Sequence, residues 1–538
     1  TLPTNVAGRT IYNEDLVNCP NWLFMTFRVG DGPWFTSSTA RILSYRQELD
    51  LKNGVLSRRI RFQDREGRRT YIHTHRIVSM ADPHLGAICY QIVPENYNGW
   101  VTIRTMLDGS VLNTGVERYR QLSNKHWKPC SVGNFGRNGV YLSMQTVQSG
   151  VEVAEAAKLR VFAAEKELRP LIRPLMKSRE RINQELRMFV WEKQSYRIEK
   201  VVSFYTSRDR DSSDPVQAAL SALRAAPRFS TLFNANRQAW GDLWRRFDVQ
   251  IDGDSFTMRI LRLHAFHLLQ TASPHNQAID AGFPARGLHG EAYRGHVFWD
   301  ELFAMPFYDL HMPEISRALI MYRYNRLDPA RKYARADGYA GAMFPWQSGS
   351  SGNEETQTVH LNPMSGEWGP DLSRLQRHVS LAIAYNVWMH WLRTGNDEFM
   401  HGYGAEMIFS IALFFSSLVT YDETDGRYHS RGVMGPDEFH EQLPGSDRHG
   451  LDDNAYTNVL IVWLMMKALQ LRNDLPDEHR RRLERSLDIS GEEYARWEEV
   501  SRKMNLIVND DGIVSQFKGY FDLEELDWDG YRAEYGNI

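Results

Sequence analysis

The residues best equipped for chemistry lie in Gly435-Pro-Asp-Glu-Phe-His-Glu441, where Asp437, Glu438, His440 and Glu441 follow a Gly-Pro break. Gly-Pro ends any helix or strand arriving from Tyr428 to Met434, so these groups sit on a loop. Two adjacent carboxyls do not ionise with equal ease, and one keeps its proton longer. Phe439 is expected to desolvate Glu438 while Asp437 and His440 hydrogen-bond around it, leaving a glutamic acid able to donate a proton near neutral pH. A solitary Asp-Glu is more often a solvated turn, so the reading depends on what else the chain brings to it.

Three further loops carry unusual side chains. His289-Gly-Glu-Ala-Tyr-Arg-Gly-His-Val-Phe-Trp-Asp300 ends in an indole beside a carboxylate. That pairing can hold a sugar, whose C–H face stacks on the ring while hydroxyls donate to the acid. Asp300 could equally be a helix cap. In Gly338–Thr356, glycines and serines surround Trp346 and lead to Glu354 and Glu355, a second aromatic platform with acids beside it. Gly349-Ser-Ser-Gly352 is not a phosphate loop, which would end in Gly-Lys-Ser/Thr at a helix start. The stretch from His360 to Asp371 adds Glu367 and Trp368, and Asp452–Asn458 follows the acidic loop. His289, His296, His360, His378 and His440 contain no His-x-x-x-His or His-Glu-x-x-His pair, so no metal site is expected.

The elements that must position these loops change character along the chain. From Ile11 to about Ser207, segments such as Trp22–Val29, Arg69–Val78 and Gly99–Arg104 alternate with period two and are rich in β-branched and aromatic residues. Glycine-, asparagine- and aspartate-bearing turns separate them, as in antiparallel sheets. Their arginines and histidines are read as solvated strand faces. After Asp214 the period becomes helical, with Trp240 and Trp244 on one face. Helices are expected at 256–273, 298–310, 313–336, 375–393, 398–419, 454–472 and 476–504. Long helices in succession without strands suggest an α-hairpin array, whose closed form is a toroidal (α/α) barrel with its chemistry on rim loops. The expected division is an N-terminal β-sandwich over 1–212, a helical linker over 213–254 and the first part of an (α/α)6 barrel over 255–538.

Composition narrows the classes. The chain has 538 residues, 42% of them hydrophobic, enough for more than one core. Its net charge of -3 leaves no basic excess for nucleic acid. Cys19, Cys89 and Cys130 are odd in number and far apart, which argues against a disulfide framework and for a reducing, cytoplasmic setting. The longest apolar run, Met407 to Val419, is too short to span a bilayer.

Taken together, the runs His289–Asp300, Tyr322-Arg-Tyr324, Gly338-Tyr-x-Gly-Ala342, Pro345-Trp-x-Ser348, Gly435–Glu441, Asp453-Asn-Ala-Tyr-Thr-Asn458 and Gln516-Phe-x-Gly-Tyr-Phe-Asp522 resemble glycoside hydrolase family 65 in order and spacing. The resemblance implies an N-terminal β-sandwich, a helical linker and an (α/α)6 barrel that cleaves α-glucosidic disaccharides with inversion, by phosphorolysis in most types and hydrolysis in a minority. It makes Glu438 the general acid and gives Trp299, Asp300 and Trp346 the grip on the glucosyl ring. Glu354, Glu355 and His440 are further substrate-binding candidates from the same loops. An inverting site needs one acid and a nucleophile delivered to the opposite face. The expected reaction releases β-glucose 1-phosphate, with inorganic phosphate as co-substrate and no other cofactor; an inverting hydrolase and a non-catalytic glucoside binder are the alternatives. A homodimer is expected. Two features depart from the family. Trp299-Asp300-Glu301 lacks the threonine of the usual Trp-Asp-Thr-Glu, and family members continue beyond position 538 with further helices, a Lys-Gln pair and a phosphate-holding loop or basic glutamate, so the barrel is expected to be incomplete at its C-terminus.

Overall fold

The computed structural model describes residues 2–6, 8–209, 213–438 and 440–536. It divides into two compact units, the first made of Thr1–Thr4 with Leu16–Leu269 and the second of Asn5–Asp15 with Gln270–Ile538.

The strands of the sheet-rich region are β1 (Leu2–Val6), β2 (Arg9–Asn13), β3 (Met25–Val29), β4 (Arg41–Asp50), β5 (Val55–Gln63), β6 (Arg69–Val78), β7 (Leu85–Pro94), β8 (Gly99–Asp108), β9 (Trp127–Phe135), β10 (Gly139–Thr146), β11 (Glu152–Ala163), β12 (Lys166–Leu168), β13 (Leu171–Lys177), β14 (Arg181–Val190) and β15 (Tyr196–Thr206). In the first unit a nine-stranded antiparallel sheet, ordered β4-β5-β6-β7-β15-β11-β10-β9 with β12 on β11, faces a four-stranded sheet ordered β13-β14-β8-β3. Phe27, Ile60, Ile72, Ile92, Val101, Ile103, Leu186 and Ile198 fill the space between them. The pleat sends alternate residues to opposite faces. On β7, Tyr90 and Ile92 therefore enter this core, while Leu85, Ala87 and Cys89 meet helices on the far side.

Those helices are α1 (Pro215–Ala225) and α2 (Phe229–Phe247), followed by α3 (Ser255–Thr271). The segment expected to link two domains thus also covers a sheet: Ala219, Leu220, Leu223 and Phe229 pack on Ala154, Ala156 and Val201. Asp214 caps α1 by accepting from the amides of Val216 and Gln217. Trp240 and Trp244 share a face as expected, and the Trp244 indole donates to the carbonyl of Leu51 at 2.9 Å. The basic strand faces are not simply solvated. His73 and His75 lie 4.2 Å apart beside Phe233, and burial pushes His73 down to about 4.

The second unit is helical: α4 (Glu301–His311), α5 (Pro313–Tyr324), α6 (Leu327–Ala336), α7 (His378–Thr394), α8 (Asp397–Phe399) running through a π turn at Met400–Gly404 into α9 (Ala405–Leu418), α10 (Ala455–Asp474), α11 (Asp477–Leu487), α12 (Gly491–Lys503) and α13 (Trp528–Tyr535). The longest apolar run is the centre of this core, since Met407, Ile408, Phe409, Ile411, Ala412 and Phe414 of α9 are wholly buried. Among the described residues no helix is long and apolar enough to cross a membrane.

Two helices expected to be continuous are broken. The 313–336 segment divides at Asn325-Arg326, where the Arg326 guanidinium turns back to the carbonyl of Tyr322 and reaches that of Ser350. The 476–504 segment divides at Asp488, which is left-handed at φ +54, and restarts at Ser490, whose hydroxyl accepts from the amide of Glu493. Val6 and Ile11 of the β1–β2 hairpin pack against Val359 and Trp368 of this second unit.

Candidate active site

The acidic loop is seated by backbone fit. A Cβ at Gly435 would stand 2.2 Å from Nδ2 of Asn454, so glycine allows the loop to lie against the residue that caps α10 through the amide of Thr457. Glu438 follows on this loop with an exposed side chain. The side-chain amide of Gln376 donates to its Oε1 at 3.3 Å, and Oε1 of Gln376 lies 3.2 Å from Nε2 of His378. His378 is fully buried, and burial pushes it down to about 3, so its ring is neutral at ordinary pH. With the ring proton on Nε2, one run of hydrogen bonds passes from His378 through Gln376 to Glu438.

Indoles from separate loops close round the same imidazole. The ring of Trp299 lies 4.8 Å from that of His378, Trp346 lies 5.3 Å from it and Tyr456 5.6 Å, all edge to face. Phe298 supports Trp346 at 5.3 Å. The sequence-predicted Glu438, Trp299 and Trp346 are thereby brought to one locus. Asp300 adjoins it: burial raises its carboxyl above the usual range, Arg286 opposes the shift, and the charge of Glu438 adds to it. Both Trp299 and Asp300 precede α4, which starts at Glu301 rather than at Phe298. Glu301 points away into the unit, pairing with Arg323 at 2.9 Å with both side chains almost wholly buried. Arg323 also donates to the carbonyl of Phe298, which ties the Trp299-Asp300 turn to α5.

The acids beside Trp346 are both engaged by protein. The Glu354 carboxylate accepts from the amides of Trp346 and Gln347, from the amide and hydroxyl of Thr356, and from the Tyr333 hydroxyl. It organises the turn that presents Trp346. Glu355 is buried, accepts from the amide of Glu14, and is pushed up to about 7, chiefly by burial and then by the Glu14 charge. His440 packs on Phe517 and Tyr520, with Nδ1 3.3 Å from Oδ2 of Asp437. Asp437 also accepts from the side-chain amide of Gln516. Asp437 and His440, expected to hydrogen-bond around Glu438, lie against each other, and Glu438 is bonded by Gln376, which was not expected; Phe439 lies outside the described residues. Glu441 is raised by burial and by Asp371, with His360 and His449 opposing. Among the described residues no three His, Cys, Asp or Glu side chains are gathered as a metal would need.

The N-terminal domain of glycosyl hydrolase family 65 matches residues 1–243, and its central catalytic domain matches residues 262–538. The chain belongs to glycosyl hydrolase family 65. Its helical unit is accordingly the family's (α/α)6 barrel domain, preceded by the family's sheet domain. Among relatives, an uncharacterised glycosyl hydrolase of Mycobacterium tuberculosis is 44% identical over 537 residues, covering 100% of this chain and 40% of that protein. The trehalose 6-phosphate phosphorylase of Lactococcus lactis is 34% identical, covering 99% of this chain and 66% of that one. The kojibiose phosphorylase of Halothermothrix orenii is 33% identical, with shares of 97% and 67%. A solved structure of a putative kojibiose phosphorylase from the human microbiome superposes with a TM-score of 0.80 at 21% identity, covering 98% of this chain and 66% of that one. The chain thus spans 40% of the length of the mycobacterial relative and about two thirds of the phosphorylases.

Within this family 65 framework, Gln376, His378 and Tyr456 lie at the candidate site, and sequence reasoning did not assign them to it. His378 was weighed only as a metal ligand, and Tyr456 sits inside the Asp453–Asn458 run that carries the family resemblance. Gln376 had no signal of its own.

Proposed function

We propose that this chain carries the glucosyl-binding and proton-donating part of an inverting α-glucoside phosphorylase. Glu438 protonates the glycosidic oxygen as its bond to the glucosyl carbon breaks, and the phosphate oxygen attacks that carbon from the opposite face. The products are β-glucose 1-phosphate and the released sugar, and the proton leaves Glu438 on the new hydroxyl. Trp299 and Trp346 wall the ring, and Asp300 accepts from its hydroxyls. The observation that carries the reading is the hydrogen-bonded run from His378 through Gln376 to Glu438 at the foot of two indoles. Phosphorolysis is favoured over hydrolysis by the relatives, several of which are named phosphorylases.

The test is cleavage of α-linked glucosyl disaccharides, including kojibiose and trehalose 6-phosphate, with and without inorganic phosphate, with the product anomer read by proton NMR. Phosphate-dependent release of β-glucose 1-phosphate is expected. Equal rates without phosphate would point to the hydrolase, and tight sugar binding with no turnover to the non-catalytic binder.

A further inference from the structure

The second unit includes a strap from the far N-terminus, Asn5–Asp15, and its last residues grip the loop that carries Trp346. The carboxylate of Glu14 accepts from the Ser350 amide at 2.6 Å and from the Ser350 hydroxyl at 2.9 Å. The backbone carbonyl of Glu14 accepts from Nε2 of His296 at 2.8 Å, and the other ring nitrogen lies 3.0 Å from the side-chain oxygen of Gln347. The amide of Glu14 donates to Glu355 at 3.3 Å. A Cβ at Gly349 would stand 2.8 Å from the Glu14 carboxylate, so strap and loop meet in direct contact at a position where the side chain is missing. Opposite the strap, Arg294 donates to the carbonyl of Glu355, and it is held left-handed at φ +55 next to Tyr293 at φ +57. Two successive non-glycine residues in that region are costly, and such strain persists only where surroundings enforce it.

We propose that Glu14 is a positioning residue for the saccharide site: it fixes the Gln347–Glu355 loop from outside while Glu354 holds it from within, and together they set the plane of Trp346. The inference rests on the reading of Trp346 as a wall of the glucosyl pocket. Glu14 itself touches no substrate. Its backbone amide and carbonyl bond Glu355 and His296, and its two carboxylate bonds act on Ser350, so Ser350 and Glu355 of the loop that follows the indole are held directly.

The test compares Glu14→Ala with Glu14→Gln in the whole protein. The alanine variant removes both carboxylate bonds, whereas glutamine keeps an acceptor for the Ser350 amide. Glu14→Ala is expected to lower kcat/KM for α-glucoside cleavage by about 10-fold or more, as small misplacements of a binding wall do, and Glu14→Gln to restore it to within about 3-fold. Hydrogen exchange at the amides of 347–355 is expected to speed up about 10-fold in Glu14→Ala, with α9 unchanged. Unchanged exchange in Glu14→Ala overturns the proposal, and so does faster exchange with unaltered cleavage or a glutamine variant as poor as alanine. If the native protein cleaves no α-glucoside, the proposed function fails by itself. Binding of glucose by the native and Glu14→Ala proteins, read by indole fluorescence, then decides the role of Glu14: equal affinities overturn it and a loss of about 10-fold or more supports it. Should Glu14→Ala not fold, Ser350→Ala removes a single hydroxyl from the same contact and takes its place in both readouts.

Discussion

At Glu438 the protein supplies a neutral donor, the side-chain amide of Gln376. This amide orients the Glu438 carboxyl without adding charge. Gln376 in turn is fixed by a histidine that burial keeps neutral, so the whole run to Glu438 carries no cation. Replacing Gln376 by alanine should lower kcat by about 10-fold with KM within about 2-fold, since it loosens the acid and leaves the indole walls intact; steady-state kinetics checks this. The loops of Glu438, Trp299, Asp300 and Trp346 stood out in the sequence because they gather ionisable and aromatic side chains between helices, and the family resemblance supplied their expected roles. Gln376 did not, because an amide one residue before a helix cap has no spacing that marks it. Glu354 shows the limit from the other side. Its neighbourhood is the predicted one, but four bonds to its own loop and a fifth from Tyr333 of α6 make it a support for Trp346, and no pattern of residue types reveals which way a carboxylate turns.

Among the elements, the site depends on loops whose ends are pinned by buried titratable side chains. Glu301 and Arg323 lock the start of α4, and Glu355 is trapped between Glu14 and Arg294. Glu355 makes a pH-dependent contribution whose sign follows from its raised carboxyl. Below about pH 4.5 it is protonated folded or unfolded, and burial costs little. As pH rises from about 4.5 to about 7 the unfolded chain ionises first and native stability falls, and above about 7 the loss is complete. Glu355→Gln should therefore match the native protein near pH 4.5 and exceed it at pH 8 by on the order of 3 kcal/mol, measured as a shift in the urea midpoint. The helices themselves were readable from period and capping residues, with Asn454 and Pro313 at the expected starts. The breaks in the 313–336 and 476–504 segments were not, because Arg326 leaves the helix for a carbonyl 24 residues away and Asp488 adopts a backbone conformation that its side chain does not advertise.

For the whole molecule, the change from period two to period 3.6 near residue 214 separates the sheet region from the helical one, and that much follows from patterning alone. What patterning could not show is that residues 5–15 belong to the helical unit, because a short hairpin carries no sign of its distant partner. The family match spans both regions, and the central claim is that loops from 299, 346 and 438 converge on one glucosyl unit with Glu438 as its proton donor. The most direct measurement is the leaving-group dependence of Glu438→Gln, comparing a disaccharide with α-glucosyl fluoride, whose fluoride departs with little need of a proton. Loss of about 10²–10⁴-fold in kcat on the disaccharide, with turnover of the fluoride kept within about 10-fold of the native enzyme, is the predicted result. Equal losses on both substrates, or no loss on the disaccharide, would contradict the assignment of Glu438 as the acid.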